Sequence, residues 1–129
     1  MGELARGQRE RLPKRRASKT YELEYDGQKI YVGVGIYPDG RVGELFVNTQ
    51  KNGSMMRTSL GSWAMAVSKA LQFGMPLKEA IHTFRHTRCN ESIAQCEDVP
   101  GVHGQKYRSS WDVIAALLEA ETDSEGKIK

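Results

Sequence analysis

Cysteine and long apolar runs are both scarce in this sequence. Two cysteines among 129 residues are too few for the disulfide framework of a small secreted domain, so reduced thiols are expected. No stretch approaches the roughly 18 consecutive apolar residues of a membrane helix, and the N-terminus lacks the apolar run of a secretory signal. These absences predict a cytoplasmic protein that does not enter a membrane.

Positive charge is concentrated at the N-terminus. Residues 1–19 contain seven basic and two acidic residues, a net charge of +5, which leaves −2 for the rest of a chain whose total is +3. Lysine and arginine contacts to phosphates release counterions and give affinity that does not depend on base sequence. The segment is therefore a candidate nucleic-acid arm through Arg9, Arg11, Lys14, Arg15 and Arg16, although a flexible, solvated linker is the favoured interpretation.

Three strands are predicted in the first half of the chain. Residues 21–25 alternate between apolar and acidic, and 29–37 places Ile and Val at every second position, which is the period of a strand with one buried face. Residues 44–49 are predicted to form the third strand. Asp26-Gly27 and Pro38-Asp39-Gly40 supply the turn residues between them. The pattern indicates an antiparallel meander.

Helices are predicted in the second half, because apolar residues recur there at three- and four-residue intervals. The first helix is expected to begin near Ser59 or Ser62 as its N-cap. Residues 89–106 lack periodicity and are expected to form a long loop. Trp63 and Trp111 are expected in the core or in an interface. The three predicted helices cover 58–73, 77–88 and 109–121.

The fold class that follows is α+β, with a three-stranded antiparallel meander packed against about three helices. We expect a flexible basic arm over 1–19, one domain over 20–122 and a polar tail over 123–129. Gly33 and Gly35 fall on one face of the second strand, which invites close approach by another backbone or helix. Because a small sheet also has open edges, a homo-oligomer is expected.

Several stretches together resemble the TSCPD domain, the C-terminal accessory domain of vitamin B12-dependent ribonucleotide reductases. The resemblance is best over residues 9–85 and keeps one order along the chain. The segments that carry it are RERLPKRR (9–16), YVGVGIYPDGRVGELFV (31–47), KNGS (51–54) and SKALQFGMPLKEAIHTF (68–84). The motif that names the domain, Thr-Ser-Cys-Pro-Asp, is represented only by Ser109-Ser110-Trp111-Asp112, without its cysteine and proline.

The resemblance implies a fold more firmly than an activity. In the reductases this domain lies beyond the ten-stranded catalytic barrel, and 129 residues are too few for that barrel, its radical cysteine and a cobalamin site. We therefore expect no cofactor, and no ribonucleotide reduction by this chain alone. A binding module is expected instead, possible partners being a nucleotide or other phosphate ligand and a separate reductase catalytic chain.

The best candidate binding site is the segment KNGSMMRTSLGS, residues 51–62. A glycine-containing loop that enters a helix offers unpaired N–H groups and the positive end of the helix dipole, both of which suit a phosphate. The alternative is that the glycine only makes a turn and the hydroxyls only cap the helix; the phosphate-binding P-loop pattern is absent. The candidate residues are Lys51, Gly53, Ser54, Arg57, Thr58 and Ser59.

Histidine and cysteine form a second candidate set, consisting of His82, His86, Cys89 and Cys96. The first three would share one face of a helix, and zinc accepts such nitrogen and sulfur ligands. However, the paired Cys-x2-Cys spacing of a strong zinc motif is missing, so solvent-exposed histidines and buried cysteines are the alternative, as is a redox pair. Cys89 with His86, or a serine with His103, could formally act as nucleophile and base, but the sequence does not bring them together and no catalytic residue is assigned.

Overall fold

The main sheet consists of three consecutive strands in the order β1-β2-β3, all antiparallel. This architecture comes from a computed structural model that describes residues 7–25, 27–49, 55–87, 94–95 and 106–129. The strands and helices are β1 (Ala17–Tyr25), β2 (Gln28–Ile36), β3 (Val42–Thr49), α1 (Met55–Gln72), α2 (Leu77–Phe84), β4 (Ala94–Gln95), β5 (Lys106–Tyr107) and α3 (Ser110–Glu121). The predicted α+β class, with three antiparallel strands and three helices, is confirmed.

The strand register places apolar side chains on one face of the sheet. Leu23 lies opposite Ile30, and Val32 lies between Tyr21 and Val47 on the neighbouring strands. Leu23, Ile30 and Val32 are at most 1% exposed, because this face packs into the core. Between β1 and β2 the chain turns through Gly27, whose φ of 74° lies in the left-handed region that favours glycine.

The outer face of β2 is filled by side chains of β3. A Cβ atom added at Gly33 would lie 3.6 Å from the Phe46 side chain, and one added at Gly35 would overlap the Glu44 carboxylate. The two glycines were expected to admit another backbone or helix. The close approach instead comes from neighbouring residues of the same sheet.

Helix α1 lies along β3 and covers its edge. The Ser68 hydroxyl accepts a hydrogen bond from the Leu45 N–H at 2.8 Å, and the Gln72 side-chain amide donates to the Gly43 carbonyl at 2.9 Å. These contacts satisfy backbone groups that an edge strand would otherwise leave open. Helix α1 begins at Met55, so the predicted N-caps Ser59 and Ser62 are wrong; both serines lie inside the helix, where its packing outweighs their preference for caps.

Helix α3 is the most deeply buried helix of the described chain. Seven consecutive residues, Asp112–Leu118, are all buried, which is typical of a helix surrounded by the core on most sides. Ser109 caps it, because its hydroxyl oxygen accepts a hydrogen bond from the Asp112 N–H at 3.1 Å. The observed bounds agree with the predicted 109–121 to within one residue.

The two tryptophans pack against the core as expected. Trp63 meets the Phe84 ring edge to face, with centroids 5.0 Å apart, and thereby joins α1 to the end of α2. Within the predicted loop 89–106, the described residues Ala94, Gln95 and Lys106 belong to a short antiparallel pair, β4 with β5, and the other residues of that range fall outside the described chain. Across the ranges that the structure describes, no helix combines the length and apolar character needed to cross a bilayer.

Candidate functional site

The first turn of α1 contains part of the predicted phosphate site. Lys51, Gly53 and Ser54 lie outside the described residues. Arg57 and Thr58 are the third and fourth residues of α1, so both lie in its first turn. Ser59 follows them in the helix. The three described residues of the predicted site therefore remain together at the positive end of the helix dipole.

Arg57 is oriented by a neighbour that the sequence did not identify. Its Nε atom donates to the Asn48 side-chain oxygen at 3.2 Å, which links the start of α1 to the end of β3. Helix α1 has no acidic residue in its first turn, and none occurs elsewhere along it. Both the helix dipole and the guanidinium group therefore contribute positive potential at this end.

The predicted alignment of His82, His86 and Cys89 along one helix is wrong, because α2 ends at Phe84 rather than at residue 88. The following residue, Arg85, is extended, and His86 has a φ of 65°. Cys89 and Cys96 lie outside the described residues. Within the described part of the chain, no group of three or more potential metal-ligating side chains is assembled, and the metal site stays a prediction.

Asp112 explains why α2 ends where it does. Its carboxylate, 1% exposed, accepts hydrogen bonds from Arg85 Nη1 at 2.5 Å, from the His86 N–H at 2.7 Å and from the Arg108 N–H at 2.9 Å. Burial alone would raise the pKa of Asp112, but the two backbone donors and the Arg85 guanidinium hold that pKa below its ordinary value. The ionised carboxylate thus connects α2 to the start of α3.

An open cleft of about 1140 Å³ lies beside this junction. Both described histidines of the predicted metal set line it, together with residues of α2 and of the chain around the end of α3. Basic groups come from the α2 side and carboxylates mainly from the α3 side, so the cleft has no dominant charge. Its charged lining residues are Lys78, Glu79, His82, Arg85, His86, Glu119 and Asp123.

Residues 9–16, which we call the N-terminal strap, contact the domain. Arg9 Nε donates to the Gln72 side-chain oxygen at 2.7 Å, and the Glu10 N–H donates to the Gln72 carbonyl at 2.8 Å. The Tyr37 hydroxyl donates to the Glu10 carbonyl at 2.5 Å, and Arg41 pairs with the Glu10 carboxylate at 2.9 Å. The strap is therefore fixed to the end of α1 and to the β2–β3 turn.

The strap also uses charges that were predicted for nucleic acid. Arg16 makes two hydrogen bonds to the Glu44 carboxylate, at 2.9 and 3.0 Å, and β1 begins at Ala17 rather than at the predicted Tyr21. Arg9, Glu10 and Arg16 thus contact the domain and residues 17–19 form part of β1, where the sequence predicted a separate arm. Arg11, Lys14 and Arg15 are exposed and make no hydrogen bond or ion pair with the described residues.

Loosening the strap has a measurable consequence. Tyr37→Phe removes the hydrogen bond to the Glu10 carbonyl and should lower the free energy of unfolding by about 1 kcal/mol. The amide of Glu10 should exchange faster with deuterium, because its bond to Gln72 would open more often. Tyr31→Phe is the matched control, since the Tyr31 hydroxyl reaches only the exposed Glu22 at 3.4 Å. If the Glu10 amide exchanged at the same rate in both variants, the attachment of the strap through Tyr37 would be contradicted.

Comparison with known proteins relates the chain to a domain family and to larger enzymes. The TSCPD domain profile matches residues 5–122, which include the strap. The vitamin B12-dependent ribonucleotide reductases of Bradyrhizobium diazoefficiens and Rhodopirellula baltica are 41% and 44% identical over 81 and 80 residues. These matches cover 63% and 62% of this chain but only 6% and 8% of those proteins. No solved structure matches the chain.

Proposed function

Because the chain belongs to the TSCPD domain family, we propose that it is an accessory binding module of a vitamin B12-dependent ribonucleotide reductase. The module would bind a nucleotide or another phosphate-bearing ligand and would not reduce ribonucleotides alone. Its matched region corresponds to less than a tenth of two such reductases, which supports a catalytic centre located elsewhere. The partner would be the catalytic part of that enzyme, in the cytoplasm.

The start of α1 is the proposed ligand site, and the observation that carries this assignment is the environment of Arg57. Its guanidinium is held by Asn48 at the positive end of an 18-residue helix without acidic residues. A phosphate placed there would be stabilised by the positive end of the helix dipole and would pair with Arg57. Lys51, Gly53 and Ser54 precede the helix and complete the proposed site.

A thermal-shift screen with ATP, dATP and the other nucleotides tests the site. A ligand at about 100 times its Kd stabilises the folded state by roughly 2.7 kcal/mol, which corresponds to about 5–15 °C for a domain of this size. Lys51→Ala combined with Arg57→Ala should abolish the shift, because both full charges of the site are removed. Lys78→Ala removes one positive charge from α2, away from the site, and this variant should still show the thermal shift. No shift with any nucleotide, or an unchanged shift in the double variant, would exclude the site.

An adaptor for nucleic acid or protein that acts through the basic N-terminal segment is the second candidate. Its support is the exposed group Arg11, Lys14 and Arg15. Arg9 and Arg16 already bind Gln72 and Glu44, so the described segment offers about three phosphate contacts, which give weak and strongly salt-dependent affinity. The phosphate site at α1 is therefore the better supported proposal.

A further inference from the structure

The exposed residues of α1 form a single stripe. Between residues 57 and 73, those that are exposed fall at intervals of four, three, one, three and four, which places them on one helix face. The last of them extends the helix by one residue, because its N–H donates to the Lys69 carbonyl at 2.9 Å. The stripe consists of Thr58, Ser62, Met65, Ala66, Lys69 and Phe73, and it carries one charge.

Two large exposed hydrophobic side chains lie on this stripe. Met65 is 64% exposed and Phe73 is 46% exposed, while Phe46, at 56%, lies on the outer face of the sheet next to Gly33. These are the exposed large hydrophobic residues of the described chain. Single exposed apolar residues are ordinary, but two large ones on one helix face indicate a surface that is covered by a partner.

The stripe is complementary to itself when two copies of α1 are placed antiparallel. With a two-fold axis between Met65 and Ala66, each Met65 faces Ala66 of the second copy. On either side, Ser62 then faces Lys69 and Thr58 faces Phe73. Every pair joins a large side chain to a small one, and no like charges meet, which is what an isologous interface requires.

We propose that this face of α1 is the interface of a homodimer. The stripe extends over about 22 Å of helix, so the contact between the two copies would consist of a single pair of helices. Such a contact is at the small end of stable interfaces, and a Kd in the micromolar range is expected. Thr58 also belongs to the proposed ligand site. The two proposals are nevertheless tested separately, because Met65 at the two-fold axis is remote in sequence from Lys51 and Arg57.

Sedimentation velocity over about 1–500 μM protein tests the dimer. The wild-type chain should approach twice its mass of 14.5 kDa as concentration rises. Met65→Lys should raise the dimer Kd by at least roughly a hundredfold, because two desolvated ammonium groups would meet at the axis. Thr83→Lys adds the same charge at an exposed position of α2 and should leave the Kd unchanged. A wild-type monomer at every concentration, or a dimer that survives Met65→Lys, would overturn the proposal.

The pairing register has its own test. Ser62→Glu should tighten the dimer by roughly fivefold, because two new ion pairs form with Lys69 of the second copy. Ser62→Lys should weaken the dimer, since the new lysine would face Lys69 of the second copy. Both substitutions are at an exposed helix position, so far-UV circular dichroism should match the wild type. Equal effects of the two substitutions on the Kd would contradict the antiparallel register.

Discussion

Replacing Asp112 by alanine is expected to lower the free energy of unfolding by about 3–5 kcal/mol. The carboxylate is buried and accepts three hydrogen bonds, from Arg85, His86 and Arg108. Its removal would leave the Arg85 guanidinium, which is 20% exposed, without its main partner, and two backbone donors without acceptors. Because these bonds connect the end of α2 to the start of α3, both helix ends should loosen together.

Urea denaturation of wild type and Asp112→Ala measures this effect. Glu119→Ala is the matched control, since that carboxylate also approaches Arg85, at 3.9 Å, but is 61% exposed and should contribute less than about 1 kcal/mol. Because the pKa of Asp112 is lowered in the folded state, its contribution is fully present above the ordinary value of 3.8. It is lost as the pH falls through the lower, folded value. Equal losses in the two variants would contradict the assigned role.

Leu117→Ala is expected to cost about 2–5 kcal/mol of unfolding free energy, because it creates a cavity in the core. Leu117 is 0% exposed and lies within the fully buried stretch of α3. Leu12→Ala removes the same atoms from a half-buried position in the strap and should cost less than half as much. Chemical denaturation of both variants makes the comparison, and similar losses would argue against α3 as the centre of the core.

The sheet and α3 could be predicted from local patterns, whereas the start of α1 and the end of α2 could not. Alternation located β2 and the preceding turn residues located β3, each to within two residues, because both are properties of neighbouring positions. Ser59 and Ser62 resemble caps, yet α1 already begins at Met55. The end of α2 is determined by Asp112, 28 residues beyond Phe84 in the sequence, and a local pattern carries no information about such a contact.

The strap was missed for a related reason. Dense charge around Gly7 and Pro13 is typical of a linker, but the partners of Arg9 and Arg16 are Gln72 and Glu44, which are distant in sequence. For Asp112 a local signal did exist, since Ser109-x-x-Asp112 before an apolar run is the pattern of a capped helix start. Of the predicted ligand residues, Arg57 could be recognised from its position before a predicted helix. Its hydrogen bond to Asn48 could not be predicted, because it depends on how α1 packs against β3.

Calorimetric titration of nucleotides into the wild-type chain tests the proposed binding function most directly. Saturable heat with one site per chain is expected for at least one nucleotide. Binding should be lost when Lys51→Ala and Arg57→Ala are combined and retained in Lys78→Ala. Absence of heat with every nucleotide, or the same affinity in the double variant as in the wild type, would contradict a phosphate-binding accessory module.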